Sequence, residues 1–344
     1  MKDYIREKGY INASFLKALS DDPKKAYSIL KGEDSISTTS TDFGSLVDCL
    51  LTTPDEFVNR YITYNGKKPT DKLLDFANKY IEIYQLESSG EDFSVDSAIL
   101  RARAESGYDG RLLNDTVIKK FKEECQTYCE FHISNIDKII IDDSTLSFAK
   151  QLVYNVKSSP YLQRLFSPNP DTIVLFQVPI FIETSKFMGK ILIDILEINT
   201  TNKTTTPWDL KTFEGSFESN YWKYKYYYQE SWYSFVLETL RNPDWFVNCE
   251  IPDELAIIHS GEYTIEQFKF IAVDKSMYKE VEIFESYKGI VEDVMFKGII
   301  NKGEYVTKIK SMQSLIDEAK DRVKLDNWTT DYQMLTKGVK KLWI

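Results

Sequence analysis

The chain has 344 residues, 42% of them hydrophobic and 28% charged, with a formal net charge of −10. That is enough apolar material for a real core in one large or two modest domains. The acidic balance argues against a protein that coats nucleic acid through overall basicity, but not against an enzyme that confines positive potential to one cleft. The four cysteines, Cys49, Cys125, Cys129 and Cys249, form no C-x-x-C pair and read as reduced, mostly buried thiols. With only two histidines, His132 and His259, a histidine-rich zinc site has no support. The opening Met1 to Lys8 is too charged for a signal peptide. The longest apolar stretch, Ile173 to Ile182, is too short to span a bilayer. The expected setting is cytoplasmic, with no membrane partner.

In chain order, the first third reads helical. Apolar spacing predicts helices over Asn12–Leu30, Phe43–Leu51 with Asp42 as N-cap, Asp71–Tyr84, Asp96–Glu105, Thr116–His132 and Ser144–Val156. After Pro168 and Pro170 the period changes. Thr172–Ile182 and Lys190–Ile198 are short, β-branched and apolar, and predict a hairpin turning near Lys186–Gly189. Trp208–Thr212 is a third strand, Asn220–Leu240 a long helix, and Phe246–His259 and Gln267–Val273 two further strands. Met277–Ile299 and Thr307–Leu325 read as helix. No GxxxxGK[ST] loop or GxGxxG turn supports ATP or dinucleotide binding.

The chemistry concentrates between Gly189 and Tyr233. Asp194 interrupts the apolar run Ile191–Leu196, where burial of a carboxylate is costly unless a cation or a donor meets it. An edge-strand aspartate facing water is the plainer reading. Strand alternation puts Asp209 and Lys211 on one face and Leu210 on the other. A surface ion pair would also explain that pair. Gln229 and Tyr233 are i and i+4 on the next helix and share a face. Tyr221, Trp222, Tyr224, Tyr226, Tyr227, Tyr228 and Trp232 surround them, with Lys223 and Lys225. Many of these rings belong to a core, but exposed ones can stack on bases.

Gly44-Ser-Leu-Val-Asp48, then Asp194, then Asp209-Leu-Lys211, then Gln229-Glu-Ser-Trp-Tyr233 resembles the PD-(D/E)XK nuclease superfamily, and within it the RecB/RecE-like exonucleases of phages. There a helix carries G-x-x-x-H, a strand an acid, the next strand D/E-x-K, and a helix Q-x-x-x-Y. The likeness spans about Phe43 to Val273. Two positions depart from the pattern. Asp48 stands where the motif has histidine, and is otherwise a helix-surface acid beside the Phe43, Leu46, Val47, Leu50 stripe. Gln177 stands where many relatives carry a glutamate, and Glu183 is a poorer match for it.

The resemblance implies an α/β fold with a restriction-endonuclease-like core, a central mixed sheet flanked by helices, and a helical N-terminal region. Residues 1–165 are the mainly helical part with the G-x-x-x-D helix, 166–275 the core sheet and Q-x-x-x-Y helix, and 276–344 a helical C-terminal part, all in one compact domain. It further implies that Asp194 and Asp209, with the Leu210 carbonyl and Asp48, hold Mg²⁺ or Mn²⁺, with Gln177 a further site position. Lys211 orients water or neutralises charge, Gln229 positions Lys211, and Tyr233 touches the DNA backbone. The implied activity is exonucleolytic hydrolysis of linear DNA ends, 5′ to 3′, by a homo-oligomer acting beside a single-strand annealing protein in phage-type recombination. A catalytically impaired DNA-binding or interaction protein and an endonuclease are the alternatives.

Overall fold

The computed structural model describes residues 7–33, 39–90, 93–167, 169–276, 280–303, 305–329 and 332. Contacts divide the chain into two compact units, Met1–Thr53 with Leu152–Ile344, and Pro54–Gln151, where the sequence reading cut it at 165 and 275.

The larger unit is α/β. Its helices α1 (Ala13–Asp21), α2 (Pro23–Lys31) and α3 (Thr39–Thr52) precede a sheet of β1 (Thr172–Glu183), β2 (Met188–Asn199) and β3 (Thr204–Phe213). Helices α4 (Phe217–Lys223) and α5 (Tyr226–Leu240) follow. Strands β4 (Asn248–Glu250), β5 (Thr264–Ile265), β6 (Lys269–Asp274) and β7 (Glu282–Glu285) complete the sheet, and α6 (Met312–Leu325) is the last long helix. The seven strands run β4-β1-β2-β3-β6-β7, with β5 beside β3. β3 is parallel to β5 and β6 while the other pairings are antiparallel, so the sheet is mixed and flanked by helices.

The predicted hairpin is present, in register from Thr172↔Asn199 to Glu183↔Met188. Thr184 closes its turn by accepting from the backbone N–H groups of Lys186 and Phe187. Three predicted single elements are divided. Asn12–Leu30 breaks at Asp22-Pro23, because Pro23 lacks an N–H and biases Asp22 to extended backbone, from where its carboxylate caps Lys24 and Lys25. Asn220–Leu240 breaks at Lys225, which is left-handed at φ 54. Phe246–His259 keeps only Asn248–Glu250 as strand; Pro252 precedes a 3₁₀ run over Asp253–Ser260. Asp42 lies within the first turn of α3 rather than at its cap. The reading of Met277–Ile299 as one helix is corrected, while Thr307–Leu325 is present as α6 from Met312. Glu282–Glu285 pairs with β6, and Gly289 and Gly298 take φ 100 and 67, which β-carbon residues resist. Met277 lies outside the described residues.

α5 is buried almost all round, with Tyr227, Tyr228, Trp232, Tyr233, Val236, Leu237 and Leu240 in the core. Its close approach to β2 depends on Gly189. A β-carbon there would stand 2.8 Å from Trp232 Cζ2, and the indole is held by its own N–H donating to the Lys190 carbonyl at 3.2 Å.

The smaller unit packs Asp71–Glu87, Val95–Ser106, Asn114–Glu124 and Gln126–Ser134 around Phe76, Ile99 and Phe121. The predicted helix Thr116–His132 divides at Cys125. Cys125 and Cys129 are free and buried, and burial pushes the Cys125 thiol up to about 12, which suits inert core thiols. A short parallel pair, Tyr61–Thr63 with Ile139–Ile141, carried no sequence signal long enough to read as strand. Among the described residues no helix is long and apolar enough to cross a membrane.

Gly189→Ala is expected to lower stability by about 1–3 kcal/mol, the cost of overpacking a rigid neighbour. Urea unfolding followed by tryptophan fluorescence checks this; an unchanged midpoint would show that α5 is free to shift.

Candidate active site

The central feature is a fork between β2 and β3. Their ladder runs from Asn199↔Thr204 to Ile195↔Trp208 and stops. The next pair in that register is Asp194 with Asp209. There the strands part, and the Asp194 carboxylate accepts from the Leu210 N–H at 2.9 Å, doing what a strand carbonyl would have done. The root of the fork is pinned by Glu197, which accepts from Trp208 Nε1 at 3.1 Å and from Arg164 Nε at 2.7 Å. Beyond the fork, backbone of the N-terminal segment takes up β2's freed groups: Ile11 donates to Met188 O and accepts from Lys190 N. Asn12 then caps α1, whose Lys17 faces the same cleft.

Four of the sequence-predicted residues meet at this fork. Lys211 Nζ pairs with Asp209 Oδ2. Gln229 Nε2 donates to Asp209 Oδ1 at 2.6 Å, so the glutamine fixes the acid and not the lysine. Asp209 is 1% exposed, and the Lys211 side chain 19%. Burial, then Asp209, then Asp48 hold the Asp194 carboxyl well above the usual carboxylate range, against the opposing pull of Lys211 and the Leu210 N–H. Burial pulls the Lys211 ammonium down, but Asp209 and Asp194 more than offset it and leave it raised. The site thus has more buried negative charge than its one ammonium balances.

Asp48 joins through Gln177. The Gln177 amide donates to both Asp48 oxygens, at 3.1 and 2.9 Å. Gln177 is left-handed at φ 48 inside β1, and the β1–β2 ladder skips it between Phe176↔Ile195 and Val178↔Ile193. Such a residue costs about 1–3 kcal/mol and persists where its surroundings over-determine it. Here the two bonds to Asp48 do so. Tyr233 borders the cleft but is 7% exposed, its ring edge-on to Phe268. Leu210 also borders it.

The cleft has a volume of about 880 Å³. Its walls carry Lys17, Lys211, Lys223, Lys225 and Lys275, in a chain of net charge −10. Burial, then the charges of Lys211, Lys25 and Lys225, depress the Lys17 ammonium.

No family model matches this chain, and no curated protein matches it. Among solved structures it is similar to the Eubacterium rectale protein named "Putative exonuclease", at 13% identity and a TM-score of 0.34, covering 90% of this chain and 97% of that one. At that level the likeness carries no argument about fold or activity.

Among the described residues no group of three or more His, Cys, Asp and Glu is gathered tightly enough to hold an ion. The acids' oxygens are engaged instead by Lys211, Gln229, Leu210 N–H and Gln177. The donor chemistry nevertheless suits a hard cation. The candidates are carboxylate oxygens, and a cation relieves both causes that raise Asp194, its burial first and then its repulsion by Asp209 and Asp48.

Sequence reasoning missed Glu230, next to Gln229. It is fully buried in α5, accepting from Tyr221 Oη at 2.7 Å and from Ser286 Oγ, and so ties α4, α5 and the segment after β7 together. A glutamate among aromatic residues in a buried helix was the available signal. Burial pushes its carboxyl up to about 7 despite those two bonds.

Two outcomes follow. The folded state keeps the Glu230 proton up to about pH 7, whereas the unfolded chain releases it near 4.5. Stability therefore falls as pH rises through that window, by about 3 kcal/mol in total. Glu230→Gln should remove this slope, which thermal melts at pH 4.5, 6 and 8 will show; parallel slopes in both proteins would place the proton elsewhere. Gln177→Glu removes the amide that donates to both Asp48 oxygens and adds a like charge. It should lower Tm without divalent cations and gain more Tm than the parent on adding Mg²⁺ or Mn²⁺. Equal gains in both proteins would separate Asp48 from any metal.

Proposed function

We propose that this protein is a metal-dependent DNA exonuclease of PD-(D/E)XK type. The observation that carries the reading is the convergence of Asp194, Asp209 and Lys211 at the β2–β3 fork, inside a lysine-walled cleft of an otherwise acidic chain. Asp194 and Asp209, with Asp48 and the Leu210 carbonyl, are the residues that would hold Mg²⁺ or Mn²⁺. When bound, such an ion supplies Lewis acidity toward a phosphate and lowers the pKa of a water.

The chain's own residues do the rest. Lys211 sets an ammonium at the mouth of the acid pair, where it neutralises charge developing on the phosphoryl oxygens and orients the attacking water. Gln229 keeps Asp209 in one rotamer, so its second oxygen stays directed at Lys211. The rim lysines hold the backbone phosphates and steer an anionic polymer to a protein that repels it elsewhere. Linear duplex ends as substrate, 5′ to 3′ polarity, a homo-oligomeric assembly, a single-strand annealing partner, a phage-type recombination role and residence in the host cytoplasm belong to this proposal. They rest on the four-motif resemblance.

One observation favours a second reading, a nuclease-fold protein that binds DNA with impaired cleavage. Gln177 replaces an acid, and its amide occupies both oxygens of Asp48.

Digestion of end-labelled linear duplex with Mg²⁺ or Mn²⁺ tests the proposal. Asp209→Asn and Lys211→Met should each lower the rate by at least about 100-fold, with circular dichroism unchanged. Full activity in both variants would refute the site. Binding without cleavage by the parent protein would favour the second reading, and cleavage of covalently closed circles would favour an endonuclease.

A further inference from the structure

Tyr224 follows α4 and precedes the left-handed Lys225, at the turn where the aromatic run changes direction. Its neighbours Tyr221, Tyr227 and Tyr228 are buried, as an aromatic helix packed on a sheet requires. Tyr224 is 42% exposed and borders the cleft. Its ring has two ammoniums beside it, Lys223 Nζ at 5.0 Å and Lys17 Nζ at 6.0 Å from the centroid. On the inner side the Tyr226 ring lies 5.9 Å away with 30° between planes, and Lys211 Nζ stands 5.2 Å from that second ring. A strip therefore leads outward from the acid pair: Lys211, Tyr226, then Tyr224 with Lys17 and Lys223.

A single exposed ring on a protein surface needs no explanation. This one differs in position and company. Single strands are held by rings on which unpaired bases stack and by cations that follow the phosphates, and stacking is tolerant of base identity. The bases inside a duplex are already stacked and offer no free face. The two ammoniums over the ring sit on flexible side chains and leave Tyr224 42% exposed, so a base can displace them onto its phosphates.

We propose that Tyr224 is a stacking platform for an unpaired DNA base flanking the scissile phosphate, which makes the site prefer frayed or single-stranded ends to blunt duplex. This rests on the nuclease reading above. Lys17 and Lys223 hold the phosphates on either side of that base, and Tyr226 keeps the platform in line with Lys211.

The test uses the full chain and dye-labelled linear oligonucleotides, with affinity measured by fluorescence anisotropy in Ca²⁺ or EDTA so that binding is read without turnover. Digestion with Mg²⁺ or Mn²⁺ is measured in parallel. Tyr224→Ala should bind an end with an unpaired overhang about tenfold more weakly than the parent protein. Tyr224→Phe should bind like the parent. An abasic nucleotide in the overhang should abolish the difference between Tyr224→Ala and the parent, because phosphates remain while the base is gone.

Equal affinity of Tyr224→Ala and the parent for the overhang, with digestion intact in both, would overturn the platform and leave the nuclease reading standing. An equal loss on base-containing and abasic strands would also overturn it, since the loss would not come from stacking. A Tyr224-dependent, base-dependent affinity in a protein that digests nothing would support the platform while ending the nuclease reading.

Discussion

Everything at the site follows from two carboxylates brought close together at low exposure, with one ammonium paired to Asp209. Burying one acid is costly, and burying two beside each other more so. The fold meets this with specific donors. Asp194 takes the N–H of Leu210, Asp209 takes the ammonium of Lys211 and the amide of Gln229, and the residual excess shows as the raised Asp194 carboxyl. Those donors exist only because the β2–β3 ladder ends at Ile195↔Trp208. Had it continued one pair further, the Leu210 N–H would face different geometry and the acids would be ordinary cross-strand neighbours, destabilising each other. The termination is built in by Glu197 at the root of the fork and by Ile11, which occupies β2 beyond it.

The acid–lysine centre was legible in the sequence because strand period is rigid. Asp209 and Lys211 had to share a face, whereas Asp194 taken alone read more plainly as an edge residue in water, and only the four-motif resemblance set it beside them. The hairpin of β1 and β2 was legible for the same reason. Helix continuity was not. Apolar spacing runs unbroken through Asp22, Cys125 and Lys225, yet the chain turns at each. At Asp22 the following proline was a readable cause. At Lys225 the cause is tertiary: the surrounding aromatic residues are buried on several sides, and one residue in the left-handed region re-aims the run so that α4 and α5 can both pack. Met277–Ile299 was misread as one helix because Val291, Val294 and Met295 fit a helical stripe, while Gly289 and Gly298, both at positive φ, confine the helical turns to the stretch between them. The resemblance gave Gln229 to Lys211, whereas its amide reaches Asp209 Oδ1, and periodicity says which face a side chain is on and not which of two neighbours it reaches.

Charge is distributed in opposition to its sum. A chain of net −10 repels DNA at long range, so only a local field can capture it. The lysines of the cleft come from α1, β3, α4, the α4–α5 turn and the end of β6. No single stretch of sequence displays them as a basic run, which is why composition suggests the opposite of what the cleft offers. Burial first, and then the neighbouring charges of Lys211, Lys25 and Lys225, depress the Lys17 ammonium, and an anion in the cleft would relieve the second cause.

On the proposed nuclease reading, Asp48 and Gln177 together make one exchange against the motif pattern. Where the pattern pairs a neutral imidazole on the helix with a carboxylate on the strand, this chain puts a carboxylate on the helix and a neutral amide on the strand. The charge contributed by the two positions is the same. The geometry makes the exchange self-consistent, since an amide can donate to a carboxylate and the Gln177 amide reaches both Asp48 oxygens. Either change alone would leave the site with one charge too many or too few. Together they preserve the anionic total around Asp194 and Asp209, and the left-handed backbone at Gln177 is the local strain that lets its side chain reach across to α3.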